Sequence, residues 1–536
     1  MDGDGDTRAP SYVWGCAVGV LSAAAGIGVA HAVAALTIPA ASPVLAVGSI
    51  AVDSAPTPLK EWAVRTFGTA DKPVLVGGIA LALVLVTAIV GVLATRRRWL
   101  GIVGMVALGA IAGAAAVART PSALAVLPAL VAATVGSACL LLMLRASRPV
   151  PDPGEGVGER AASGWPARSP LAGPNVRSGR FRPGRRGVLL GAPALAAAGF
   201  GAGALIAALR TSDEAVGRDQ ALPEPSSPAP ALPDGVELGI AGATPFVTSN
   251  ADFYRVDIAL STPRLDAGSW TLPIDGMVAT PITLSYKDIL EMPLVERWIT
   301  LSCVSNPVGG PYVSTARWLG VPLADLLERA GVDPAAEQIF ARGADGFTCS
   351  VPLDVALDGR DALLAVGMNG DQLPFAHGFP ARLIVPGLFG FVSAAKWLTG
   401  LTLTTYDDDV AYWTERGWAT DAPALTQTRV DVPGPLERVP AGELEITGMA
   451  WAQHRGVAKV EVRIDDGDWE EAELATDAGV DLWRSWSHRW ASTGSGRHDV
   501  QVRSTDGTGQ MQPEDRTEPF PDGARGWHSV AFLVKD

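Results

Sequence analysis

Charge is scarce in this chain. Asp, Glu, Lys and Arg make up 18% of its 536 residues, while 48% are hydrophobic. A mean hydropathy of +0.23 is high for a wholly water-facing protein and points to apolar spans beside a soluble part. Cysteine is scarce too: four in the whole chain exclude a disulfide-stapled secreted scaffold and a multi-cluster iron–sulfur protein. Six histidines leave little room for multi-haem or His-rich metal chemistry. At ~100–200 residues per domain, the length calls for several domains.

The charge that is present is unevenly spread. Residues 1–210 carry 18 Lys/Arg against 9 Asp/Glu, a net of +9; residues 211–536 carry 24 against 47, a net of −23. The acidic second part lacks the basic face that phosphate binding needs, which excludes nucleic acid as a partner. In the first part five apolar runs, Tyr12–Ile38, Val74–Ala94, Trp99–Ala118, Ser122–Leu144 and Gly187–Leu209, reach the ~20 residues a bilayer span requires. Small residues crowd them, as in "LSAAAGIGVAHAVAAL", and let helices pack closely in lipid.

Basic residues orient these spans. Arg96, Arg97 and Arg98 lie between the second and third runs, and nine arginines against three acids fill residues 145–186, so both segments are expected in the cytoplasm. The 39–73 loop, with three basic and three acidic residues, is expected outside. The N-terminus is then cytoplasmic, and the fifth span delivers residues 211–536 to the extracytoplasmic side. His31 is the single histidine of the spans; two are needed for a bis-histidine haem, so it reads as a packing or polar-contact residue. Cys16 and Cys139 read as small membrane apolar residues. No charge sits in the middle of a span, so a transporter has little support. Arg185-Arg186, before an Ala/Gly-rich apolar run, reads either as an internal twin-arginine export signal or as an ordinary basic flank.

The composition divides the chain into a four-span domain over 1–145, a basic cytoplasmic linker over 146–186, a fifth span over 187–210 and a Pro-rich extended linker over 211–234. A mixed α+β domain over 235–425 and an all-β domain over 426–536 follow. In the mixed domain, "FYRVDIAL", "RLIVPGLFGF" and "WLTGLTL" read as strands; "SYKDILEM" and "PLADLLERAG" read as helices, the second ended by Gly331. In the last domain "GELEITGMAWA", "VAKVEVRID" and "GRHDVQVRSTD" alternate as strands of an immunoglobulin-type β-sandwich, with Trp451, Trp469, Trp483, Trp486 and Trp490 as core bulk or, alternatively, a carbohydrate platform.

Chemistry is then expected in 235–425. Its sharpest string is "WITLSCVSNPVGGPYVSTARWLGVPL". Cys303 leaves a strand-like run there, followed by small and polar residues. A lone thiol at a strand end can be a nucleophile, a soft-metal ligand or a buried inert residue, and composition alone leaves all three open. The string resembles the molybdenum-cysteine motif of the sulfite oxidase family of molybdopterin enzymes. "LLAVGMNGDQLPFAHGFPARLIVPGLFGFVSAAKWLTGL" resembles the same family's stretch from Asn-Gly through His-Gly-Phe-Pro-x-Arg to Lys-Trp. "TPFVTSNADFYRVDIALSTPRLDAGSWTLPIDGMV" resembles the family's start, and the C-terminal segment its dimerisation domain. These blocks cover about 300 residues in the family's order, and several spaced motifs are specific where one is not. The likeness extends to membrane-anchored actinobacterial members.

The resemblance implies a molybdenum–molybdopterin cofactor with Cys303 as thiolate ligand to the metal. It implies cofactor contacts from His377, Arg382 and Lys396, with Ser393 and the backbone around Gly390, and from Asn250 and Tyr254. Homodimerisation through the C-terminal domain is implied in the same way. The chain departs from sulfite oxidases proper in "PGLFGFVSAAKW", where an arginine of the anion pocket is missing and Phe389 and Phe391 stand instead. An apolar pocket leaves a sulfite dianion unpaired, so a sulfoxide or another small organic sulfur or oxo compound is the expected substrate. Arg317 is the one basic group expected near the metal, or else a surface or phosphate-contact arginine; Cys349 is a small filler or an active-site residue. The His-Pro-Gly-Gly signature of a fused haem domain is absent from the sequence, so no haem is expected, and electrons would pass to a separate redox partner or a quinone. The expectation is a membrane-anchored extracytoplasmic oxidoreductase; the alternative is a non-catalytic binding or assembly module on the same fold.

Overall fold

The computed structural model describes residues 12–56, 59, 62, 66, 71–120, 122–146, 185–210, 216–218, 220–492 and 494–535. Most of the 146–186 linker lies outside them, as do the side chains of Arg185 and Arg186. The chain forms two compact units, 1–210 and 211–536.

The first unit is helical: α1 Tyr12–Leu36, α2 Pro43–Ser54, α3 Asp71–Arg96, α4 Arg98–Arg119, α5 Leu127–Ala146 and α6 Arg185–Arg210. Five of its helices, with α5 extended back to Ala123, are long and apolar enough to cross a membrane. The loop expected over 39–73 carries the short helix α2. The small residues have a direct packing reason. A Cβ on Gly19 would lie 2.0 Å from the Thr87 carbonyl of α3, on Gly26 2.5 Å from the Ala132 carbonyl of α5, and on Gly28 2.6 Å from the Ala196 carbonyl of α6. Helix α1 thus forms the axis on which three others close backbone to backbone. His31 is paired through Nδ1 with Ser42 Oγ at 3.2 Å and lies against the Phe200 ring.

The second unit begins with a strap. Residues 220–230 are extended and docked: Ser226 N donates to the Leu294 carbonyl, Glu296 N to the Ser227 carbonyl, and Trp298 Nε1 to the Pro230 carbonyl. The Pro-rich linker therefore covers the edge of a sheet over this stretch instead of running free, because the edge backbone groups need partners.

The mixed domain holds two sheets. One has the order β2 Ile282–Ser285, β1 Thr271–Gly276, β10 Leu398–Thr404, β5 Gln338–Gly343 and β6 Thr348–Pro352. The other has β3 Val295–Ser302, β4 Val313–Pro322, β7 Leu363–Met368 and β8 Asp371–Gln372, with β9 Arg382–Ile384 paired to β7. Both helices expected from the sequence form. α7 Tyr286–Leu290 starts in a capping box of Ser285 and Asp288. α8 Leu323–Ala330 stops at Gly331, whose φ of +68° is the left-handed C-cap conformation. Short helices α9 Leu353–Ala356 and α10 Gly390–Ser393 complete the domain. "WLTGLTL" becomes β10. "FYRVDIAL" does not become a strand: the Tyr254 amide donates to Ser314 Oγ and the Val256 carbonyl accepts from Lys396 Nζ, so backbone groups that a ladder would use are bound to side chains.

The last domain is a two-sheet β-sandwich. One sheet has β11 Gln427–Val432, β13 Glu443–Trp451, β17 Arg484–Ala491 and β16 Glu473–Leu474. The other has β12 Arg438–Val439, β19 His528–Val534, β18 Gly496–Asp506, β14 Val457–Ile464 and β15 Glu470–Glu471. Ile446, Trp486, Val460, Val500 and Phe532 fill the space between them. Trp451 and Trp483 pack elsewhere, against Phe246 and Val313 of the mixed domain, and Trp483 Nε1 donates to the Phe246 carbonyl at 2.9 Å. Trp469 is half-buried, with the Arg463 and Arg503 guanidiniums 4.7 and 4.2 Å from its ring centroid.

Candidate active site

Strand β3 ends at Ser302, paired with Val313 of β4, and Cys303 is the first residue past the ladder. The loop that follows is closed at its base by Cys303 N donating to the Tyr312 carbonyl at 2.9 Å. Asn306 closes it again: its amide nitrogen of the backbone donates to the Cys303 carbonyl, and its Oδ1 accepts from Tyr312 N at 2.9 Å. A Cβ on Gly310 would lie 2.4 Å from that Oδ1, so glycine is required there. Cys303 is 8% exposed. Burial pushes its thiol up, against weaker lowering by hydrogen bonds from Ser305 and by the charge of Lys396. The thiol is therefore neutral on its own and needs a metal to become a thiolate ligand. Among the described residues no group of three metal-ligating side chains occurs. A lone buried thiol suits a metal that arrives already held by a cofactor.

The other expected residues gather here. The turn Phe375–His377 presents His377, whose Nε2 lies 2.9 Å from the Asn250 carbonyl. A carbonyl only accepts, so Nε2 carries the proton. Burial first, then Arg382, lowers His377 to about 4. The ring is neutral and its Nδ1 keeps a lone pair for a donor. Arg382 opens β9, 5% exposed, with its guanidinium over the Trp318 ring. Nη1 donates to the His377 carbonyl at 3.2 Å and Nη2 to the Ala394 carbonyl at 3.5 Å; Nε has no partner among the described residues. Burial lowers Arg382 to about 10, and no carboxylate pairs with it among the described residues. Lys396 Nζ is 2.9 Å from Asp257, and burial lowers it to about 8. Tyr254, its hydroxyl pushed up by burial, senses the charges of both Cys303 and Arg382. A Cβ on Gly390 would sit 3.7 Å from the Tyr254 hydroxyl and 3.8 Å from the Ser302 carbonyl. Cys303, Tyr254, His377, Arg382, Gly390 and Lys396 thus surround one place.

Three of the expected site residues take other partners in the structure. Arg317, on β4, lies opposite Trp298 of β3, which is five residues before Cys303, or ~16 Å along a strand. Its Nε pairs with Glu296 at 3.0 Å, so it is not brought to the cysteine. Asn250 is a support: its Nδ2 donates to the Met368 carbonyl, its Oδ1 accepts from Asn369, and its carbonyl holds His377. Ser393 Oγ donates back to the Phe389 carbonyl at 3.0 Å, leaving only lone pairs and backbone for a ligand. Phe389 also turns away, its ring against Gly523, while Phe391 packs edge-on to Trp418 at 5.1 Å. Cys349 is fully buried and its thiol is pushed to about 12, as suits a filler.

Sequence reasoning missed Arg255, Asp257, Asp345, Asn369 and Asn306. Asp257, its side chain 2% exposed, takes Arg255 Nε at 2.7 Å as well as Lys396. Asp345 is raised to about 6 by burial, against the lowering charge of Lys396. Asn369 holds a left-handed φ of +54° and joins Thr248, Asn250 and the Arg317 amide. The available signals were the Arg-x-Asp spacing in "FYRVD", read as a strand, and an Asn-Gly turn read only as part of a motif.

The residues fit an anionic pterin cofactor. Arg382, Lys396 and Arg255 bring three cations together; among the described residues Asp257 pairs with Lys396 and Arg255, and Asp345 lies near enough to feel the charge of Lys396. The Arg382 Nε is a buried donor without an acceptor among the described residues, which a phosphate oxygen or pterin nitrogen would satisfy.

Comparison with known proteins agrees. Residues 259–413 match the family described as oxidoreductase molybdopterin binding domain. Sulfite oxidase of Gallus gallus is 30% identical over 317 residues, 50% of this chain and 68% of that protein. The uncharacterized oxidoreductase YuiH of Bacillus subtilis is 33% identical over 153 residues, 28% of this chain and 74% of that one. The sulfane dehydrogenase SoxCD from Paracoccus pantotrophus has a structure similar over 55% of this chain and 84% of its own, at 23% identity and a TM-score of 0.48. Across the chicken and mouse sulfite oxidases the matched stretch spans 68% and 52% of their length.

Proposed function

The chain belongs to the sulfite oxidase family of molybdopterin-dependent oxidoreductases, and from that premise we propose that it is a membrane-anchored, extracytoplasmic enzyme that transfers an oxygen atom to or from a small sulfur-containing or similar oxo compound. The observation that carries the reading is the buried convergence of the Cys303 thiol with His377, Arg382 and Lys396.

In this reading Cys303 ligates molybdenum, and Arg382 and Lys396 neutralise the anionic end of the cofactor. His377 offers a lone pair at Nδ1, held in its tautomer by the Asn250 carbonyl. Tyr254, protonated throughout the physiological range, presents a hydroxyl beside Gly390 and orients whatever approaches Cys303. The buried surroundings exclude water and strengthen each of these contacts. When bound, the cofactor supplies two-electron redox chemistry and an exchangeable oxygen position.

Arg317 is tied to Glu296 and Arg429 to Asp431 and the Gly310 carbonyl, so neither supports a sulfite pocket at Cys303. A neutral sulfoxide or organic sulfur substrate suits this better. Five helices of sufficient length and apolarity support the anchor, and the basic residues at 96–98 and 145–186 support the external placement of 211–536. The two-sheet sandwich is read as immunoglobulin-like and as the site of homodimerisation. Electrons pass to a separate redox partner or a quinone.

The test is molybdenum per chain in the full-length protein beside Cys303→Ser, with turnover assayed on sulfite and on dimethyl sulfoxide using artificial electron carriers. About one metal per wild-type chain, and turnover that disappears in Cys303→Ser, is expected. A folded wild-type protein without molybdenum, made in a host that supplies the cofactor, would overturn the reading.

A further inference from the structure

The loop that carries Cys303 is gripped from outside its own domain. Arg429, on strand β11 of the C-terminal sandwich, is 8% exposed and uses all three faces of its guanidinium. Nε pairs with Asp431 at 2.7 Å, Nη2 donates to Thr244 Oγ1 at 3.0 Å, and Nη1 donates to the Gly310 carbonyl at 2.9 Å. The residue before Gly310 is held by a second sandwich side chain. Gly309, at φ +76°, lies under the His528 ring, and a Cβ there would be 2.1 Å from His528 Nε2. Gln453 Nε2 donates to Ser302 Oγ at 3.1 Å, and the Thr300 amide donates to the Asp481 carbonyl at 3.0 Å. The strand end, the cysteine and the loop are therefore pinned by the sandwich at Thr300, Ser302, Gly309 and Gly310.

We propose that Arg429 is a positioning residue for the metal-binding cysteine: by fixing the Gly310 carbonyl, it sets the shape of the loop 303–312 and so the direction in which the Cys303 thiol is presented. The loop's own closure, Cys303 N to the Tyr312 carbonyl and Asn306 Oδ1 to Tyr312 N, defines its base and one crossing but leaves the Gly309-Gly310 tip without an internal restraint beyond the Gly310 N to Pro307 carbonyl bond. Two successive glycines are the most pliable point of such a loop. A guanidinium locked by three acceptors has little freedom left, so it transmits the position of the sandwich to the loop as a fixed point. The sandwich is then part of the catalytic apparatus, whatever else it does. The inference rests on reading Cys303 as the molybdenum ligand.

The test compares the full-length wild type with Arg429→Met and Arg429→Lys. In cofactor-free protein, the rate of Cys303 alkylation by iodoacetamide is measured by peptide mass, with the fully buried Cys349 as an internal reference. Loss of one buried charge-assisted bond is expected to raise the Cys303 rate about tenfold in Arg429→Met, with Cys349 unchanged and Arg429→Lys in between. In molybdenum-loaded protein the Mo(V) electron paramagnetic resonance g-values of Arg429→Met are expected to shift, and kcat to fall roughly 10- to 100-fold with KM little changed. An unchanged Cys303 rate, a parallel rise at Cys349 indicating general loosening, or unchanged g-values overturns the proposal. Wild-type protein without molybdenum overturns the functional reading instead, and the alkylation comparison still decides whether Arg429 sets the loop.

Discussion

The carboxylate of Asp257 lies 2.9 Å from the Lys396 ammonium, with side chains 2% and 10% exposed. Arg255 reaches the same carboxylate at 2.7 Å. One buried anion thus holds two cations at the edge of the cofactor site. Replacing Asp257 by Asn leaves the Lys396 charge buried without its counter-ion, a change that costs about 3–5 kcal/mol. Chemical denaturation of the cofactor-free protein is expected to show that loss, and a Lys396→Met substitution added to Asp257→Asn is expected to recover part of it. Equal midpoints for wild type and Asp257→Asn would refute the account.

Acid is expected to destabilise the protein in two stages. His377 and His528 are both lowered from 6.5 to about 4, in each case first by burial. A lowered base is favoured in its neutral form by the fold. Its contribution is fully present above pH 6.5 and is lost as pH falls towards 4. Asp506, lowered from 3.8 to about 2 by hydrogen bonds from Thr508, Arg455 and Thr426 that outweigh its desolvation, holds its contribution until pH falls below 3.8. Denaturation midpoints measured between pH 8 and pH 3 check this. His528→Gln, which keeps an acceptor for Val430 N, is expected to flatten the upper stage.

Trp483 couples the sandwich to the mixed domain. It is 2% exposed, its amide donates to Thr300 Oγ1, and its indole donates to the Phe246 carbonyl. Trp483→Phe removes one hydrogen bond and is expected to cost about 1 kcal/mol or more. Trp483→Ala also opens a cavity and is expected to cost about 3–5 kcal/mol. Denaturant midpoints of both variants separate the two contributions; a wild-type midpoint for Trp483→Phe would show that the indole N–H carries no weight.

The helical unit offers an internal control. Gly28→Val places atoms where the Ala196 carbonyl of α6 already lies, whereas Gly191 has nothing within 4 Å of its would-be Cβ. Overpacking of this kind costs about 1–3 kcal/mol. Thermal unfolding in detergent is expected at a lower temperature for Gly28→Val and near the wild-type value for Gly191→Val. Equal shifts would argue against close packing of α1 on α6.

Much of the fold was legible because it is written locally. The capping box at Ser285, the stop at Gly331 and the alternation in "VAKVEVRID" each depend on neighbours within a few residues. The segment "FYRVDIAL" has the same alternation and forms no strand, since the Lys396 ammonium and Ser314 hydroxyl take its backbone groups. Those partners lie 60 residues and more along the chain, beyond the reach of any local pattern.

The site divides in the same way. The sequence by itself determined that an apolar helical part precedes an acidic part, and that Cys303, His377, Arg382 and Lys396 stand in strings that resemble the sulfite oxidase family. Those properties follow from residue type and motif. Only the tertiary structure decided that Arg317 belongs to Glu296, that Asn250 serves His377, that Asp257 holds Lys396, and that Arg429 of strand β11 reaches Gly310 from 119 residues along the chain. Each of these is a choice of partner for a buried polar group. The choice depends on which acceptor or counter-charge folding brings within about 3 Å, and a side chain's type fixes its need for a partner without naming it.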